Sequence, residues 1–94
     1  MAYVYILYSS KLGRFYTGSC FELEKRLLEH KNKAYRDSFT TKAEDWELFL
    51  FIDNLEYHQA RKIEIHIKKI RSRKYIEDLI KYPEINRKLI SKYK

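Results

Sequence analysis

The sequence predicts an α+β fold, a small three-stranded antiparallel sheet packed by helices in the order ββαβααα. Three observations predict it. Two short runs rich in aromatic and β-branched residues, Tyr3 to Tyr8 and Arg14 to Thr17, flank a turn-like segment and read as a hairpin. A third apolar run, Trp46 to Ile52, reads as another strand, and between and after the strands apolar residues recur at helical spacing. At 94 residues the chain makes one domain, 1–94, with residues 72–94 expected as a C-terminal helical extension.

Each element follows from its residues. Ser9-Ser10-Lys11-Leu12-Gly13 separates the hairpin strands. Gly18 is expected to end the second strand, where the backbone turns toward a helix and a residue without Cβ is favoured. That helix should run from about Glu22 to Lys31, with Glu22 and Glu24 near its N-terminus and bases toward its C-terminus. Leu23 and Leu27 mark its buried stripe, Arg26 and His30 fall on the same side, and Leu28 lies off it. Residues 32 to 45 are polar and aperiodic and read as a loop. Trp46 to Ile52 is apolar at nearly every position, which predicts a central strand covered on both faces. From about Leu55 to Ile70 the stripe Ala60, Ile63, Ile67 and Ile70 predicts a core-facing helix. Ser72 suits the cap of the next helix, with Ile76, Leu79 and Ile80, and Pro83 the first turn of the last, with Ile85, Leu89 and Tyr93.

Composition narrows the function classes. A net charge of +7 favours an anionic partner, because a cationic surface attracts polyphosphate and releases its counterions on binding, although many basic proteins bind no nucleic acid. The only cysteine, Cys20, excludes an intramolecular disulfide and a thiolate metal cage and reads as an incidental buried thiol. The apolar start is too short for a membrane span and lacks the features of a signal peptide, so a cytoplasmic protein with no membrane partner is expected, with a monomer favoured. His58 and His66 read as surface positions.

Tyr5, Tyr16, Gly18, Arg26, His30 and Glu64 stand out as residues that core-building does not require. Tyr5 and Tyr16 are eleven positions apart, Arg26 follows Tyr16 by ten, and His30 follows Arg26 by four. In these intervals, and in Ala60-Arg61-Lys62-Ile63-Glu64-Ile65-His66-Ile67-Lys68, the chain resembles the GIY-YIG nuclease domains in their small, single-domain, UPF0213-like form, related to the N-terminal nuclease domain of the bacterial excinuclease. Tyr3 stands where the name motif has Gly and Thr17 where it has Ile, neither of them a reacting position, and Asn86 is only a distant counterpart of the Asn that some members carry.

The resemblance implies a metal-dependent endonuclease that hydrolyses phosphodiester bonds, DNA being the expected substrate, with a role in repair or recombination. It assigns catalysis to Tyr5, Tyr16, Arg26, His30 and Glu64, with Gly18 structural at the site. The chemistry is compatible. One carboxylate, Glu64, suffices to anchor Mg²⁺ or Mn²⁺, because these hard cations keep several waters. Tyr16 would be the general base, and a phenol with a pKa of about 10 needs neighbouring positive charge for that task. Arg26 would bind phosphate, while His30 and Tyr5 would orient Tyr16 or water. Lys31, Lys42, Lys68, Lys69, Arg71 and Arg73 are the expected nucleic-acid contacts.

Taken singly, the same residues have plainer readings: Tyr5 and Tyr16 as core, Arg26 and His30 as a solvated pair, Glu64 as a surface partner of Lys68. Their common register favours the site. The alternative functions are a noncatalytic basic nucleic-acid-binding module of the same fold and a protein-interaction domain using the aromatic hairpin.

Overall fold

The computed structural model describes residues 1–31, 45–70 and 72–94, the side chains of His30 and Lys31 excepted. Most of the loop expected over 32 to 45 therefore lies outside the described residues, as do Lys42 and Arg71. The elements are β1 (Ala2–Ser9), β2 (Arg14–Cys20), α1 (Leu23–Lys31), β3 (Glu47–Leu55), α2 (Tyr57–Ile70), α3 (Arg73–Lys81) and α4 (Pro83–Lys92). The order ββαβααα and the α+β class are those the sequence predicts.

The sheet is antiparallel with strand order β2-β1-β3, so β1 is central. This corrects the expectation for the third apolar run. β3 is an edge strand, with Leu48 and Phe51 exposed, whereas Ala2, Val4, Tyr5, Ile6 and Leu7 of β1 are buried. An apolar run reports burial on both faces only if both faces are covered. On β3, part of the apolar surface instead meets other rings at the sheet surface: Phe49 packs edge-on against Phe15 at 4.9 Å and Phe51 lies 6.4 Å from Tyr3.

Alternation along the strands divides the molecule into two apolar layers. Val4 and Ile6 share one cluster with Ala60, Ile63 and Ile67 of α2, Leu79 of α3 and Leu89 of α4. Tyr5, Leu7 and Cys20 form the other, against which Tyr16, Trp46, and Leu23 and Leu27 of α1 pack. Ile70, expected on the buried stripe, is exposed as the last residue of α2.

Local chemistry fixes the connections. Gly13 has φ +62°, a left-handed conformation that costs glycine little, and its N–H donates to Ser9 O at 2.7 Å. Asp45 ties this turn to the approach to β3, accepting from Ser9 Oγ at 2.6 Å, Ser10 Oγ at 2.9 Å and Lys11 N at 2.9 Å. These bonds, Ser9 foremost, hold its carboxyl down at about 2. The β1–β3 register shifts between Ala2 and Val4, where Asn54 takes φ +64°: one extra residue is absorbed by a side chain that tolerates the left-handed region. Ser72 caps α3, its Oγ accepting from Tyr75 N, and Pro83 opens α4. Asn86 serves this helix pair, donating to Leu79 O at 2.9 Å.

Candidate active site

β2 is the edge of the sheet opposite β3, and along it Tyr5, Tyr16, Ser19, Glu64 and Lys68 are linked by contacts. Tyr16 and Tyr5 belong to the layer covered by α1, with ring centroids 6.3 Å apart. Glu64 comes from α2, on the other layer, and reaches β2 through Ser19, whose Oγ donates to Glu64 Oε1 at 2.5 Å.

Tyr5 and Gly18 are direct cross-strand partners. A Cβ at Gly18 would lie 2.5 Å from the Tyr5 hydroxyl oxygen and 2.6 Å from Cζ, so the ring occupies the space a side chain would need. The sequence reading of Gly18 is corrected here. β2 continues to Cys20 and Gly18 does not adopt positive φ; glycine is needed for the close approach of a buried tyrosine, not for a turn.

Glu64 has a side chain only 7% exposed, and its carboxylate is held from three directions. Ser19 and Arg61 Nη1, the latter at 3.2 Å, donate to Oε1, while Lys68 Nζ donates to Oε2 at 2.7 Å. Arg61, Glu64 and Lys68 fall on one face of α2 at spacings of three and four residues. Burial of a carboxylate carries a desolvation cost, which these charged and hydroxyl donors offset. The Lys68 ammonium also lies 5.7 Å from the centroid of the Tyr16 ring, so one cation links Glu64 to Tyr16.

Arg26, on α1, is partly buried and pairs with Glu29 at 3.3 Å. Its charge also acts on Cys20, although burial is the stronger influence and pushes that thiol up, as suits a packing residue. His30 and Lys31 belong to α1, but their side chains lie outside the described residues. Among the expected nucleic-acid contacts, Arg73 has packing work to do. It lies 5.8 Å from the ring centroids of both Tyr8 and Phe15, reaches Tyr8 Oη at 3.4 Å and pairs with Glu77 at 3.5 Å. Sequence reasoning did not single out Ser19 or Arg61 as partners of Glu64. A small hydroxyl just after Gly18 and an Arg three residues before Glu64 were the available signals, but 45 positions separate Ser19 from Glu64.

A groove of about 680 Å³ lies elsewhere, lined by Tyr3, Phe21 and Phe51 with Glu22, Glu24 and Asp53. Neither Tyr16 nor Glu64 lines it, and its carboxylates suit a phosphate backbone poorly, so the geometry of the β2 edge carries more weight.

The fold is that of a nuclease-family domain. The GIY-YIG catalytic domain model matches residues 1–76, and the chain belongs to that family. Among solved structures it is similar to a UPF0213 protein of Bacillus halodurans determined by solution NMR, at 26% identity and TM-score 0.52, covering 86% of this chain and 84% of that one. No curated protein matches it significantly.

Proposed function

We propose that this chain is a divalent-metal-dependent endonuclease acting on nucleic acid, with DNA as the expected substrate and repair or recombination as the setting. The observation that carries the reading is the line from Glu64 through Lys68 to Tyr16: a buried carboxylate whose outer oxygen faces a cation, beside a strand tyrosine.

The residues fit a metal of limited protein ligation. Among the described residues there is no cluster of three or more His, Cys, Asp or Glu, which excludes a multi-carboxylate cage there. Glu64 offers one hard oxygen donor, enough for Mg²⁺ or Mn²⁺ completed by water. Such an ion, when bound, would polarise a nonbridging phosphate oxygen and offset charge on the leaving oxygen. Ser19 and Arg61 hold the carboxylate in place through Oε1. Tyr16 would accept the proton of the attacking water, with the Lys68 ammonium supplying nearby positive charge. Arg26 would bind the phosphate, and Tyr5, locked over Gly18, fixes the strand that presents Tyr16. His30 is assigned to orienting Tyr16 or water. Lys68 and Lys69, in the last turn of α2, would contact the backbone, and Lys31, Lys42, Arg71 and Arg73 are the other expected contacts.

One observation favours a noncatalytic nucleic-acid-binding module: both carboxylate oxygens of Glu64 already have basic partners, as in a purely structural ion-pair cluster. A cleavage panel of single-stranded, duplex, flap and branched DNA and RNA, with Mg²⁺ and with Mn²⁺, separates the readings. The expected result is metal-dependent nicking reduced about 100-fold or more in both Glu64→Gln and Tyr16→Phe. Salt-sensitive binding without cleavage in either metal would establish the binding module instead.

A further inference from the structure

The two oxygens of Glu64 are held differently. Oε1 accepts from Ser19, a β2 residue, and from Arg61 one turn upstream, contacts that fix the carboxylate against the sheet edge. Oε2 faces Lys68 at 2.7 Å, and the Lys68 side chain is 49% exposed. A lysine ammonium is a compact point charge on a flexible four-carbon stem, so it can leave the carboxylate through solvent without opening the core. A divalent ion and this ammonium compete for contact with one oxygen, because the two cations repel each other at that range.

We infer that Lys68 is an exchangeable counter-cation of Glu64, a positioning residue that neutralises and aims Oε2 until a divalent ion displaces it. The inference rests on the reading of Glu64 as the metal ligand and goes beyond it, because it assigns Lys68 two successive positions. The first is the observed one. In the second the ammonium has released Oε2 but remains tethered to α2 within reach of Tyr16, over whose ring it already lies at 5.7 Å. Cation exchange at Glu64 therefore changes the charge beside Tyr16, and metal loading is coupled to the surroundings of the residue that would accept the proton. Arg61 is as exposed as Lys68, but it shares Oε1 with Ser19, so its departure would leave that oxygen occupied, whereas departure of Lys68 opens Oε2 to an ion.

Two measurements test this without turnover. In the wild-type protein, Mg²⁺ titration followed by NMR should shift the Lys68 side-chain ammonium and Tyr16 ring signals along the same isotherm as the Glu64 carboxyl signal. A Lys68 signal unmoved while the Glu64 carboxyl titrates overturns the exchange. Separately, Mn²⁺ binding by electron paramagnetic resonance should be roughly two- to fivefold tighter in Lys68→Met, as expected for removing a competing, half-exposed ion-pair partner, and near the wild-type value in Lys68→Arg. Unchanged or weaker binding in Lys68→Met, in protein whose amide spectrum is native, also overturns it. Glu64→Gln distinguishes the two levels of argument. If it retains wild-type Mn²⁺ affinity, the ligand assignment fails; if it loses binding while Lys68→Met is unchanged, the exchange alone fails.

Discussion

Tyr5 shows how one residue can be scaffold and, in the proposed function, part of the site. Its ring is fully buried in the layer with Leu7 and Cys20 and lies directly over its cross-strand partner Gly18. The sequence marks both positions but not their relation, because a glycine at the end of an aromatic strand looks the same whether it serves a turn or a close approach. Gly18→Ala tests the difference. A turn glycine without positive φ would accept alanine at little cost, whereas here the added Cβ would fall 2.5 Å from the Tyr5 hydroxyl oxygen. We expect a loss of about 1–3 kcal/mol, the usual range for overpacking a core, measured by urea unfolding. An unchanged midpoint would show that the ring moves aside freely.

At the scale of elements, α2 covers the sheet, and its buried face does two kinds of work. Ala60, Ile63 and Ile67 enter the core, Glu64 on the same face reaches Ser19 of β2, and His66 meets α3 and α4. His66, expected at the surface, is half-buried between Tyr75 and Tyr93, with Nδ1 2.8 Å from the Tyr93 hydroxyl. This contact was illegible because residue 93 lies 27 positions away and the helical period alone places His66 beside the apolar stripe without saying what covers it. Burial first, then Lys92 and Lys69, lowers its pKa below the ordinary 6.5. The folded state therefore favours neutral His66 and binds its proton less readily than the unfolded chain. Its contribution is present above pH 6.5 and is lost as pH falls from there through the lowered folded value. Thermal unfolding midpoints should drop on acidification over that window, and the drop should be smaller in His66→Gln. Equal pH slopes in the two proteins would refute the assignment.

Across the whole molecule, the caps, stripes and turn residues were legible because they are local. Gly13, Ser72 and Pro83 each specify a backbone event within a few residues, and Leu23, Leu27, Ile63 and Leu89 each follow a helical period. Strand order was not local: β1 and β3 carry similar apolar runs, and only the helices placed over them decide which becomes central. Spacing carried the family resemblance, but the contacts around Glu64 required a strand and a helix to meet.

The same distinction applies to the charge of +7, which says that an anion is attracted but not where. Lys69 is exposed on the last turn of α2, one position from Lys68, whereas Arg73 is engaged with Tyr8, Phe15 and Glu77. If a nucleic-acid backbone follows α2, Lys69→Gln should weaken binding uniformly across sequences and reduce the slope of log affinity against log salt by about one. Arg73→Gln should act first on stability, since it removes an ion pair and two ring contacts that pin the start of α3 to the hairpin. Fluorescence anisotropy over a salt series, alongside unfolding of each variant, makes both comparisons. An unaltered salt slope in Lys69→Gln would move the backbone path off α2, and a full change of slope in a normally stable Arg73→Gln would move it toward the hairpin.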